Sequence, residues 1–76
     1  GVLENNKEAV IWYRKVAEQG YASAQYNLGL MYQYGEGVVK NMTKAKYWNK
    51  KAYEGGDAKV SKIAEENWKR FELWKY

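Results

Sequence analysis

The sequence has no cysteine, no histidine, no proline and a single aspartate, Asp57. Without cysteine a disulfide framework is excluded. Without cysteine or histidine, structural zinc, haem ligation and thiol or imidazole catalysis are excluded as well. No run of about 18 apolar residues is present, so no segment reads as a membrane-spanning helix. The opening Gly1-Val2 carries neither an initiating methionine nor a leader pattern, which reads as a processed or truncated piece. The compartment is left open between cytoplasmic and exported, because absent cysteine suits either redox environment.

What is present is a chain of 76 residues with 4 Trp, 8 Tyr, 1 Phe and 7 Gly. A domain of that length buries only about 60–65% of its unfolded surface, so its core is thin. A chain this aromatic and free of proline does not have the composition of a disordered linker. The net charge of +4 is unevenly placed. Residues 1–38 carry three basic and four acidic side chains, and residues 39–76 carry ten basic and five acidic. The basic half suits an acidic peptide, nucleic acid or an anionic surface, or simply a solvated helix face.

The decisive feature is an internal repeat. At an offset of 36 residues, Gly1-Val2 falls on Gly37-Val38, Asn5 on Asn41 and Ala9 on Ala45. At the same offset Trp12 falls on Trp48, Lys15 on Lys51, Glu18 on Glu54, Gly20 on Gly56 and Ala22 on Ala58. Asn5 with Glu8 reads as a helix N-cap and its capping-box partner. Ala9, Trp12, Tyr13, Val16 and Ala17 then mark one helical face, and Gly20 a C-terminal stop. The second copy runs from Asn41 through Ala45, Trp48, Ala52 and Tyr53 to Gly55-Gly56.

Between the copies, Ala24, Leu28, Met31 and Tyr32 mark another helix. Gly29 lies in its interior, where glycine costs about 1 kcal/mol relative to alanine. A neighbouring helix passing too close for a Cβ accounts for it. Gly35-Glu36-Gly37 reads as a turn from which Val38 returns to the core. After Asp57, a further cap, Val60, Ile63, Ala64, Trp68, Phe71 and Trp74 form an amphipathic stripe. There Glu65 stands where Gly29 would, Ala64 where Leu28 would and Trp68 where Tyr32 would. The spacing predicts four helices, over 6–18, 21–34, 42–54 and 57–74, and no sheet. The expected core is Ala9, Trp12, Tyr13, Val16, Ala24, Leu28, Tyr32, Val38, Ala45, Trp48, Ala52, Val60, Ala64 and Trp68. Tyr53 joins the aromatics at the helix seams.

The signature Ala24, Leu28, Gly29, Tyr32, Gly35, Gly37 and Val38, followed by Ala45, Trp48, Ala52 and Gly56, resembles a Sel-one-like repeat, a relative of the tetratricopeptide repeat. The resemblance covers roughly residues 1–64. It departs from the family pattern at Asn41, at Tyr53 and in the drifted last helix. It implies an all-α solenoid of helical hairpins. On that register residues 1–20 are the second half of one unit, 21–56 a complete unit and 57–76 a capping helix. The resemblance further implies a scaffold or adaptor for other proteins, of a kind common in bacteria, with no cofactor. In such solenoids the first helix of each hairpin lines the concave face. Carried over by position, Ser23, Tyr26, Leu30, Gln33 and Tyr34 would stand on one wall of that face. Lys59, Lys62, Glu66, Lys69 and Arg70 would stand on the other. A peptide with apolar anchors and acidic groups would suit the pair. The competing reading packs Tyr26 and Tyr34 on neighbouring helices and leaves the lysines solvated.

Three other classes compete with that reading. An enzyme would need a catalytic inventory that is missing: Glu65 and Glu66 are adjacent on a helix and point apart, and Gly35-Glu36-Gly37 lacks the Lys-Ser/Thr of a phosphate loop. Nucleic acid ranks behind protein as a partner. Lys40, Lys44, Lys46, Lys50 and Lys51 mix with Tyr47 and Trp48, but Trp48 belongs to the buried stripe and the lysines spread around the helix. Weak self-association or contact with an anionic surface through the C-terminal helix is the third, with Leu73 and Tyr76 lying off the core stripe.

Overall fold

The computed structural model describes residues 2–76 and is an all-α solenoid. Its helices are α1 (Val2–Glu18), α2 (Ala22–Tyr34), α3 (Met42–Glu54) and α4 (Ala58–Arg70), followed by a 3-10 turn at Leu73–Lys75. Gly1, where the repeat match begins, lies outside the described residues. Helix α2 packs against α1 on one side and α3 on the other, α4 packs against α3, and the end of α2 touches α4.

The helix starts follow local chemistry where the chain turns. Asn41 is extended, at φ −150° and ψ 101°, and its side chain accepts from the Lys44 backbone N–H at 3.0 Å. Asp57 caps α4 by accepting from the N–H groups of Lys59 and Val60, at 3.0 and 3.1 Å. Asn5 behaves differently from the expectation. It lies inside α1, which begins at Val2. No glycine or proline turns the chain between Val2 and Asn5, so propagation at one hydrogen bond per residue outweighs the asparagine's capping preference.

The Cα envelope is 33 × 25 × 15 Å, a thin slab with little interior, and among the described residues Leu28 and Leu73 are the large side chains with no measurable exposure. The core proper is Val10, Ala17, Ala24, Leu28, Tyr32 and Ala45, with Tyr13, Val16, Met31, Val38 and Trp48 packed against it. So many alanines require close helix crossings. At Gly29 an added Cβ would lie 3.3 Å from both the Ala45 carbonyl oxygen and the Asn49 backbone nitrogen. At Gly37, where φ is +73°, a Cβ would lie 2.4 Å from the Asn6 carbonyl oxygen. That glycine lets the α2–α3 loop rest directly on the backbone of α1.

Several expected core members sit elsewhere. Trp12 is 64% exposed although its counterpart Trp48 is packed. Trp48 lies on the side of α3 that meets Gly29 of α2, and among the described residues no helix covers the matching side of α1. Tyr53 and Ile63 are also exposed, on the outer edge of α3 and α4. The last helix stops at Arg70 rather than continuing to residue 74. Phe71 and Glu72 turn the chain, Glu72 in the left-handed region at φ 51°. The turn reverses the expected facing: Leu73 becomes fully buried against α3 and α4, and Trp74 is left half exposed.

Candidate partner-binding face

Residues predicted for the concave wall of α2 divide into two groups. Ser23 and Tyr34 are exposed, and Tyr26 and Leu30 are half-buried at the surface. Gln33 is a correction: it is 3% exposed and belongs to the interior. Its amide exchanges two hydrogen bonds with Asn67 of α4, at 3.0 and 3.3 Å. Asn67 also donates to the Asn49 side-chain oxygen at 3.0 Å, and Asn49 donates to the Ala64 carbonyl at 3.0 Å. Three buried amides therefore join α2, α3 and α4, each satisfied by the next. Left unpaired, each would cost about 1–3 kcal/mol.

That network sets α4 beside α2, and with it the remaining candidates. Lys59, Lys62, Glu66, Lys69 and Arg70 are all exposed on α4. Tyr34 meets Phe71 edge-on, with ring centroids 6.0 Å apart, and the Arg70 guanidinium lies 6.0 Å from the Phe71 ring centre. Burial, with Tyr34 and Glu66 nearby, holds the Tyr26 phenol above its ordinary value of 10.0. Tyr26, Tyr34, Phe71, Glu66 and Arg70 thus form one continuous patch. Lys62 and Lys69 stand at its far edge, on the rim of a shallow depression of about 710 Å³ that also includes Tyr53 and Glu66. Lys69 pairs with Glu65 at 3.0 Å, an exposed contact of small energetic weight.

Of the two aromatic rings that mix with the lysines of α3, Trp48 is packed whereas Tyr47 is 53% exposed and meets Trp48 edge-on. Trp48 packs on the core, and the Lys51 and Lys44 ammonium groups lie 5.3 and 5.4 Å from the ring centres of Tyr47 and Tyr32. Tyr32 also receives a hydrogen bond from Arg14 on its hydroxyl.

Position-by-position reading missed Phe71 as part of the patch and missed the amide network. It also missed a pair of bonds that the repeat offset itself contains. Gln25 donates to the Ala17 carbonyl at 3.1 Å, and 36 residues on, Ser61 donates to the Tyr53 carbonyl at 2.6 Å. In each case an early residue of one helix holds the last turn of the helix before it.

With this geometry in hand, the comparisons with known proteins fall into place. The Sel1 repeat model matches residues 1–21 and 22–57. A crystal structure of a Sel1 repeat protein from Oxalobacter formigenes superposes with a TM-score of 0.68 at 48% identity, covering 76% of this chain and 24% of that one. Chitin synthase regulatory factor 3 of Schizosaccharomyces pombe is 39% identical over 67 residues, 87% of this chain and 7% of its own length. Chitin synthase regulator SKT5 of Malassezia restricta is 37% identical over 62 residues, 80% of this chain and 4% of its own length. The chain therefore spans less than a tenth of these two curated relatives, which are fungal where the solved structure is bacterial. Proteins built from these repeats are generally non-catalytic scaffolds for contacts between proteins. The two consecutive repeat matches, over most of its length, show that this chain belongs to the Sel1 repeat family.

Proposed function

We propose that the chain is a non-catalytic interaction module that holds a peptide or a segment of a partner protein across α2 and α4. The observation that carries this reading is the surface patch in which Tyr34 and Phe71 meet edge-on beside Arg70 and the Tyr26–Glu66 pair. Rings already held in place lose little freedom on binding and offer an apolar shelf. Lys62 and Arg70 at the shelf's edges suit acidic groups on the same ligand. The names of the two fungal relatives, a regulator and a regulatory factor, support a role exerted on another protein. Packing of Trp48 on the core withdraws the larger of the two rings that mix with the lysines, which favours this over nucleic-acid stacking on the basic half.

The face is short, so affinity in the micromolar range is expected. Peptides selected against the chain from a random display library should combine an aromatic or leucine anchor with Asp or Glu. The variant Lys62→Glu with Arg70→Glu should bind them at least about tenfold more weakly while its circular dichroism is unchanged, a difference of about 1.4 kcal/mol. Selected peptides without acidic enrichment, or an unchanged Kd, would remove the basis for the reading.

A further inference from the structure

Donors from three helices meet at one aromatic ring between α1 and α3. Tyr32 of α2 is 5% exposed, and its hydroxyl accepts a hydrogen bond from the Arg14 guanidinium of α1. The Lys44 ammonium of α3 lies over the same ring, 5.4 Å from its centre. The backbone pins Lys44 there. The Asn41 N–H donates to the Tyr32 carbonyl at 2.9 Å, and the Lys44 N–H donates to the Asn41 side chain at 3.0 Å. The backbones of α1 and α3 do not touch, because α2 lies between them. Tyr32 is thus the floor of the gap, and the exposed Arg14 and Lys44 are its edges. Among the described residues neither cation pairs with a carboxylate, and the Tyr32 O–H has no acceptor. The positive charge is costly where it stands. The first turn of a helix favours an acidic side chain, α3 has none there, and Lys44 stands where the preceding copy has Glu8. A helix packed on the far side of α1 would leave the site open. Lys50, 36 residues after Arg14, stays exposed although its helix has α2 on one side and α4 on the other.

We propose that Arg14, Tyr32 and Lys44 form a binding site for a phosphate group. After its bond to Tyr32 the guanidinium keeps further N–H donors, the ammonium has three and the phenol one. A phosphate group has enough oxygens to accept from all three at once, and a charge of about −2 at pH 7. A carboxylate offers two oxygens and half that charge. The ring already restrains Lys44 and the phenol already restrains Arg14, so closing on the anion costs little side-chain freedom. The chemistry suits a free phosphate ion or a phosphorylated side chain of a partner protein. The site shares no residue with the α2–α4 patch, so it does not rest on the peptide-binding reading.

Titration of the chain with sodium phosphate, at an ionic strength held at about 0.15 M with NaCl, tests this by side-chain NMR. The Arg14 Nε–H, the Lys44 Cε and the Tyr32 ring signals should shift together and saturate, with a Kd of about 1 mM expected for so small a ligand. Arg14→Gln and Lys44→Gln each change an exposed side chain and should weaken binding at least about threefold, and the double variant should abolish it, with circular dichroism unchanged. Tyr32→Phe keeps the ring and should also weaken binding about threefold, whereas Lys50→Gln should not. Acetate should bind at least about tenfold more weakly than phosphate. A blocked phosphoserine that binds as tightly as inorganic phosphate supports a phosphorylated side chain as the source, and one that binds much more weakly supports the free ion. Shifts that stay linear and spread over all the lysines would overturn the proposal. So would acetate binding as well as phosphate, or a Kd that the Arg14→Gln, Lys44→Gln double variant leaves unchanged.

Discussion

Replacing Gly29 by leucine puts the helix crossing at the centre of the fold under direct test. The added Cβ would meet two backbone atoms of α3, the Ala45 oxygen and the Asn49 nitrogen, each at 3.3 Å. Backbone atoms cannot rotate aside as a side chain can. The Asn49 amide is moreover tied to the Ala64 carbonyl and to Asn67, so moving α3 disturbs α4 as well. A leucine there forces α2 and α3 apart, at roughly 3 kcal/mol of overpacking. The gain in helix propensity over glycine offsets roughly 0.8 kcal/mol of that. The net loss is about 2 kcal/mol or more, a fall in Tm of about 8–16 °C for a domain of this size. Gly29→Ala adds only the Cβ, so its strain and its propensity gain should nearly cancel. The internal control is Glu65→Leu: among the described residues no helix lies across the equivalent position on α4, and the change should stay within about 0.5 kcal/mol. Urea unfolding at low micromolar concentration, followed by tryptophan fluorescence and circular dichroism, measures all three. If Gly29→Leu proves as stable as Glu65→Leu, the close-crossing argument is wrong.

Asn67→Leu strands the Gln33 amide and the Asn49 Oδ1, while the Asn49 NH2 keeps its bond to Ala64, and should cost about 2–4 kcal/mol, part of which the added Gln33→Leu recovers by removing one stranded partner; additive losses in a double-mutant cycle would show that the network is not coupled. Leu73→Ala should cost about 2–4 kcal/mol and Trp74→Ala less than about 1, the reverse of what a helix continuing to residue 74 would give. Tyr26 should titrate above 10.0, chiefly through burial, with Glu66 adding to it. Because the folded state keeps a proton that the unfolded state has already released, stability is untouched below about pH 10 and falls as pH rises through the folded value. Resonances of the tyrosine ring carbons followed with pH should show the Tyr26 midpoint move down towards 10.0 in Glu66→Gln, and a midpoint that does not move would refute the proximity.

The repeat made the solenoid legible. Asn41, Gly35, Gly37 and Asp57 act as turns and caps through chemistry contained within three or four residues, and α3 spans 42–54 as spaced. Legibility failed where the deciding contact lay elsewhere. Trp12 carries the same periodicity as Trp48, and only the presence or absence of a facing helix separates them. Leu73 and Trp74 exchanged roles because the helical period was extended past a turn that ends at a non-glycine residue, Glu72, in the left-handed region. At the candidate face, Tyr26, Tyr34 and Arg70 were visible by position. Gln33 looked like a surface residue because its partner Asn67 is 34 residues away, beyond any local signal.

The paired bonds from Gln25 to Ala17 and from Ser61 to Tyr53 bear on the shape of a longer array. A glutamine reaches about 2.5 Å farther from its backbone than a serine does, two bonds more. The same anchoring job done by the shorter side chain should draw the start of α4 nearer to the end of α3 than α2 is drawn to α1. This single position therefore works as an adjustable spacer between neighbouring units. Long and short residues placed there along an array would open or tighten its superhelix one joint at a time, without altering the apolar signature that defines each unit.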